Sequence, residues 1–150
     1  RLRIAVLILP SLQNERLRCA MYSENTSRLA VLVVEDEPLL RMDAVDMIGD
    51  AGFKTYEACS ADEAMALIRD NNDIGILFTD IDMPGSINGL KLAACVREGW
   101  PSVEILIASG VVGVTDEVMP EGSKFYSKPY VTAQIISDMK TIAASEEHSV

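Results

Sequence analysis

Two apolar runs in this sequence end on acids. Val31-Leu32-Val33-Val34 leads into Glu35-Asp36, and Ile76-Leu77-Phe78-Thr79 leads into Asp80. Short β-type stretches of this kind deliver their carboxylates at one edge of a sheet, and in an open α/β sheet ligands bind at that edge. If the two strands are neighbours, Glu35, Asp36 and Asp80 converge. Like charges at short range repel, so such a cluster calls for a cation or a protonated member. Oxygen-only ligands with room for water suit Mg²⁺. The chemistry that follows is an acidic pocket that binds Mg²⁺ and offers Asp80 as a phosphate acceptor.

The remaining strand-like runs bring further polar groups to the same edge. Val103–Ala108 ends at Ser109-Gly110, and Lys124–Ser127 is followed by Lys128-Pro129. A carboxylate, a cation site, a lysine and a hydroxyl are what phosphoryl transfer to a carboxylate needs. The cations neutralise the phosphoryl oxygens, the hydroxyl donates to them, and the aspartate attacks in line.

These groups require a scaffold, and the chain supplies one. Short apolar runs alternate with amphipathic stretches from residue 30 onward. Pro38 suits the first turn of a helix, and Leu40, Ala44, Met47, Ile48 and Ala51 follow at helical spacing up to Gly52. Lys54–Ala58 reads as a more exposed strand. Ser60 with Glu63 three residues on forms a capping box, opening a helix that fades at Asp70-Asn71-Asn72. Gly75–Thr79 is the third strand, Asn88–Glu98 the third helix, and Val131–Ala144 the last, with Ile135, Met139 and Ile142 on one face. Alternating strands and helices imply right-handed crossovers and a parallel sheet covered on both sides. The expected fold is α/β: a flavodoxin-like, doubly wound, five-stranded parallel sheet. Gly113, Pro120 and Gly122 fall between the fourth and fifth strands, so the helix there is expected to be short or irregular.

Bulk properties set limits. A chain of 150 residues is one domain long, with 49% apolar and 24% charged residues. A formal charge of −10 argues against nucleic-acid binding, which needs a basic face. No apolar run approaches the ~20 residues of a membrane span. Cys19, Cys59 and Cys95 have no metal-ligand spacing, so reduced thiols and a cytoplasmic location are expected. The single histidine, His148, makes a Ser-His-Asp or Cys-His centre implausible. Residues 1–28 read as an N-terminal extension of non-native origin or poor order, 29–144 as the domain, and 145–150 as a polar tail.

The motifs Val33-Val34-Glu35-Asp36, Thr79-Asp80-Ile81-Asp82-Met83-Pro84-Gly85, Ala108-Ser109-Gly110 and Lys128-Pro129 occur in order, each at a strand end. In this the chain resembles the receiver domain of bacterial two-component response regulators, over about residues 29–144. Each motif alone is weak; all four together are specific. The resemblance implies that Asp80 is the phosphoacceptor, Asp36 a direct Mg²⁺ ligand, and Glu35 a neighbour acting through water. It also implies a metal contact from the main-chain carbonyl of Asp82 and a pairing of Lys128 with phosphate. Ser109 matches the switch hydroxyl and Phe125 the switch aromatic, while Pro129 is expected to follow a cis peptide. The implied partners are a sensor histidine kinase or phosphotransfer protein and a downstream protein, with a homodimer left open. The chain reads as a stand-alone receiver, or one cut from a longer hybrid kinase, signalling by protein contact, in which phosphorylation reorganises the segment from Gly110 to Ser123.

Two rivals remain. Asp80-Ile81-Asp82 also suits haloacid-dehalogenase-type phosphatases, where the first aspartate is nucleophile and the second general acid/base. In that family, however, the pair ends the first strand rather than the third. The other rival is a receiver fold acting as a passive binding module without phosphorylation.

Overall fold

The computed structural model describes residues 29–83, 87–110 and 118–147. The N-terminal extension and residues 111–117 of the segment expected to be irregular and to reorganise lie outside the described residues.

Five parallel strands form one sheet: β1 (Ala30–Val34), β2 (Lys54–Ala58), β3 (Ile74–Asp80), β4 (Glu104–Ser109) and β5 (Lys124–Ser127), in the spatial order β2-β1-β3-β4-β5. The described helices are α1 (Pro38–Asp50), α2 (Ala61–Asp70), α3 (Gly89–Gly99) and α4 (Thr132–Glu147). This is the expected flavodoxin-like, doubly wound arrangement. Its order reverses between β1 and β3, and at that switch point the crossovers leave on opposite faces and open a crevice.

Period-2 alternation along the strands builds both cores. Val31, Val33, Ile76, Phe78, Leu106 and Ala108 pack with Ala44 and Ile48 of α1 and with Ile135 and Met139 of α4. Leu32, Val34, Leu77, Ile105 and Ile107 pack on the other face with Ala61, Ala64 and Ile68 of α2 and with Leu92, Ala93 and Val96 of α3. Each fully buried Val, Leu or Ile contributes about 1.5–3 kcal/mol, which concentrates the packing energy in the central strands. β2, at the edge, is the exposed strand the sequence suggests.

The helix starts follow local chemistry. Ser60 Oγ accepts from the Glu63 N–H at 3.2 Å, while Glu63 Oε2 accepts from the Cys59 N–H at 2.8 Å. Asn88 Oδ1 accepts from the Lys91 N–H at 2.9 Å and caps α3. α1 has Pro38 in its first turn but no side-chain cap.

One boundary differs from expectation by more than a residue. α4 continues to Glu147, taking in three residues assigned to the polar tail. Ala144, Ser145, Glu146 and Glu147 include no glycine or proline that would stop a helix. The Ser145 hydroxyl also bonds back to the Thr141 carbonyl at 2.9 Å. α4 is tied to β5 by the buried Tyr126, whose hydroxyl donates to Asp138 at 2.5 Å, and by Lys124, 3.4 Å from the same carboxylate.

Candidate functional site

Strand register assembles the site. Val34 stands opposite Thr79, so the next residues, Glu35 and Asp80, meet at the end of β1 and β3. Asp80 pairs with Ala108, and Ser109, one step further, pairs with Ser127. Lys128 follows directly, its N–H donating to the Ser109 carbonyl at 2.9 Å. Four strand ends thus bring Glu35, Asp80, Ser109 and Lys128 to one edge.

Asp80 is held at both oxygens. Its Oδ2 lies 2.7 Å from Lys128 Nζ, and its Oδ1 accepts from the Asp82 N–H at 3.1 Å. The Thr79 hydroxyl donates to the Asp80 carbonyl at 2.9 Å. Lys128 also lies 3.4 Å from Glu35 Oε2. Burial alone would lower the Lys128 pKa, but the bond to Asp80 and the charges of Asp80 and Glu35 outweigh it and raise it. Glu35 is pushed up to about 7, chiefly by burial, with Asp36 and Asp80 adding to the rise and the Glu37 N–H and Lys128 opposing it. Among the described residues, the three carboxyls of Glu35, Asp36 and Asp80 are met by the Lys128 ammonium, while Arg41 reaches only the Glu35 main-chain carbonyl. The site is short of positive charge.

That shortage decides whether the donor set fits Mg²⁺. Among the described residues, no three His, Cys, Asp or Glu side chains close on one point tightly enough to hold a metal by themselves. Mg²⁺ does not require that, since it keeps several waters and uses one or two carboxylates. Hard oxygen donors with uncompensated charge at a sheet edge match that requirement.

The remaining candidates separate by face. Ser109 is buried at the end of β4, with the parity of Ile107. Phe125 is half-buried and packs with the α2 and α3 side of the sheet. Asp80 shares the parity of Phe78, on the α1 and α4 side. Asp82 is exposed and reaches the acceptor through its N–H. The Lys128–Pro129 peptide is cis, as the resemblance implied.

Several contributors carried no sequence signal. Arg41 Nη1 donates to the Glu35 carbonyl at 2.9 Å. Gly89, at the start of α3, leaves no room for a side chain: a Cβ there would lie 1.7 Å from the Asp80 carbonyl oxygen. Tyr130 packs edge-on against Phe78, with ring centroids 5.9 Å apart and planes at 75°. Together with Leu40, Ala44, Ala108 and Pro129 it lines a cavity of about 250 Å³ that also touches Glu35, Asp80 and Lys128.

Comparison with known proteins bears on the family and the fold. The family model for the response regulator receiver domain matches residues 31–140. The sensor kinase CckA of Brucella abortus is 26% identical over 121 residues, covering 78% of this chain and 13% of the kinase. The aerobic respiration control protein ArcA of Escherichia coli is 30% identical over 102 residues, covering 68% of this chain and 41% of ArcA. The chain therefore spans less than half the length of these relatives. Among solved structures, a response regulator of Thermotoga maritima in complex with Mg(2+)-BeF superposes with a TM-score of 0.65 at 21% identity, covering 75% of this chain and 97% of that one. On its strand order, its sheet-edge acids and its family match, the chain belongs to the response regulator receiver domain family.

Proposed function

We propose that this chain accepts a phosphoryl group on Asp80 in a Mg²⁺-dependent reaction and signals through the protein contacts that follow. The observation that carries the reading is the fixing of Asp80 by Lys128 at 2.7 Å, across 48 positions of sequence, with the Asp82 N–H on the other oxygen. A carboxylate so placed is a poised nucleophile.

In the reaction, an Asp80 oxygen forms the new O–P bond as the P–N bond of a donor phosphohistidine breaks. The leaving imidazole keeps the electron pair and takes up a proton. Lys128 pairs with a phosphoryl oxygen, and the Ser109 hydroxyl donates to another. Asp36 and Asp80 would hold Mg²⁺ directly, Glu35 through water, and Asp82 through its main-chain carbonyl. The metal supplies charge neutralisation at the phosphoryl oxygens, the larger part of catalysis in such transfers. Water attack on phosphorus later restores the carboxylate. The chain thus catalyses only its own phosphorylation and dephosphorylation, with a sensor histidine kinase or phosphotransfer protein as donor and a further protein reading the result.

Incubation with a small-molecule phosphodonor, followed by intact-mass spectrometry, tests this. One phosphoryl adduct per chain is expected with Mg²⁺ and none after chelation. Continuous turnover of a phosphomonoester would favour the phosphatase reading instead. Partner binding that ignores both phosphate and Mg²⁺ would favour the passive module.

Exposed apolar residues beside the site support a docking place for the donor. Leu39, Leu40 and Met42 at the start of α1 are 64%, 44% and 52% exposed, and Leu40 lines the cavity beside Asp80. Scattered exposed apolar residues are ordinary, but a group of them beside a reactive carboxylate is the composition of a contact surface. Leu40→Glu is expected to slow transfer from a donor protein about tenfold, as expected when a contact worth about 1.4 kcal/mol is lost. The rate with a small phosphodonor should stay at the wild-type value. Equal slowing with both donors would place the fault in Asp80's surroundings, not in docking.

A further inference from the structure

We propose that Arg41 is the positioning residue of the acidic loop, setting the direction of Glu35 and Asp36 and through them the affinity for Mg²⁺; this rests on the Mg²⁺-dependent reading above. The loop joins β1 to α1, a helix without a side-chain cap. Besides the Lys128 ammonium on Glu35 Oε2 at 3.4 Å and the first helical bond, from the Arg41 N–H to the Glu37 carbonyl at 2.9 Å, three hydrogen bonds bear on its direction. The Glu35 N–H donates to the Ala58 carbonyl at 3.1 Å, the Glu37 N–H donates to Glu35 Oε1 at 3.2 Å, and Arg41 Nη1 donates to the Glu35 carbonyl at 2.9 Å.

The third bond differs in kind from the other two. The Glu35 carbonyl and the Asp36 N–H belong to one planar peptide unit. A donor fixed on that carbonyl oxygen restrains rotation of the whole plane, and the two candidate ligands leave from the two Cα atoms it joins. The Glu37 bond cannot serve in the same way, because it occupies the Glu35 carboxylate. When that carboxylate turns toward a hydrated cation, the Glu37 bond weakens, while the Arg41 bond to the main chain is untouched.

Arg41 is itself well anchored. It sits in the second turn of α1 with its side chain only 20% exposed, and its Nε lies 3.9 Å from Glu57 on β2. With Glu57 60% exposed and the distance long, that pair is worth little. Arginine suits the place because its rigid fork can serve a carbonyl with one nitrogen while another faces outward.

The charge of Arg41 and its bond predict opposite signs. As a cation near an acidic pocket, Arg41 would repel Mg²⁺, so its removal would tighten binding. As a positioning residue its removal must weaken binding, on the scale of about 10-fold typical of groups that orient metal ligands. Calorimetric Mg²⁺ titration of wild type, Arg41→Ala, Arg41→Lys and Glu57→Gln separates the two. The half-saturating Mg²⁺ should rise about 10-fold in Arg41→Ala, recover in part in Arg41→Lys, and stay unchanged in Glu57→Gln. An unchanged or lowered half-saturation in Arg41→Ala overturns the proposal. Wild type that takes up no Mg²⁺ overturns the underlying reading and the metal part of this one. Amide exchange in metal-free protein then decides what is left: faster exchange at Asp36 and Glu37 in Arg41→Ala upholds the positioning role, and unchanged exchange overturns it.

Discussion

Asp80→Asn is expected to abolish the phosphoryl adduct while leaving the protein folded. The substitution keeps size and planarity, so the packing of β3 is undisturbed and the Thr79 hydroxyl still reaches the Asp80 carbonyl. What changes is the nucleophile. A carboxamide has no anionic oxygen with which to form the acyl phosphate, and losing an attacking group lowers such rates by more than about 10³-fold. The amide also gives Lys128 a weaker partner than the carboxylate now 2.7 Å away, leaving it with Glu35 at 3.4 Å. Glu35 is then the remaining carboxylate on that lysine, so trace labelling of the variant would fall there and peptide mapping would find it. Intact-mass spectrometry beside a thermal melt is the check. An adduct at the wild-type level in a folded Asp80→Asn protein would remove Asp80 from its role as acceptor.

The same variant bears on the two rival chemistries. A phosphatase using Asp80 as nucleophile would also lose activity, but its wild type would turn substrate over instead of accumulating one adduct. A passive module would be indifferent to the change. Asp82 weighs against the phosphatase on geometric grounds: the general acid of that mechanism needs its carboxyl at the reacting centre, whereas here the Asp82 N–H makes the contact and the side chain is exposed.

Much of this was legible in the residues because the signals were local. Apolar runs closed by acids marked β1 and β3, and Ser60 with Glu63 marked the start of α2. Once the strands were placed, the parallel sheet followed from the alternation of elements, while the adjacency of β1 and β3 that brings the carboxylates together is seen only in the fold. What escaped was what depends on tertiary contact. Leu40 has the spacing of a core residue, yet it lies beside the cavity and is half exposed, because α1 seats on the sheet through Ala44 and Ile48. The bond from Arg41 to the Glu35 carbonyl is made to main chain, which no side-chain pattern encodes. The end of α4 was missed because polar residues were read as tail, although they are compatible with helix.

Gly89 is the other large effect that the sequence hid, and Gly89→Ala is expected to cost about 3 kcal/mol or more, the upper end of what overpacking costs. At the start of a helix a glycine is ordinarily a weak residue that alanine improves. Here the added Cβ would lie 1.7 Å from the Asp80 carbonyl oxygen, 2.7 Å from its carbon and 2.9 Å from Ile81 Cα. All three are main-chain atoms, so no rotamer change relieves the contact. Either α3 slides off the sheet, breaking the Gly89 N–H bond to the Ile81 carbonyl at 3.0 Å, or the Asp80 peptide moves and takes the acceptor away from Lys128. Both routes lower the melting temperature, by about 10 °C for a domain of this size, and the second also slows phosphorylation in whatever protein remains folded. Gly49→Ala is the internal control: nothing lies within 4 Å of a Cβ there, so the same change in α1 should be neutral or stabilise by up to about 1 kcal/mol. Thermal melts of the two variants, with phosphorylation rates measured well below the transition, separate helix propensity from steric exclusion. A Gly89→Ala protein as stable and as fast as Gly49→Ala would mean that α3 does not press on the acceptor strand, and that Asp80 owes its position to Lys128 and Asp82 alone.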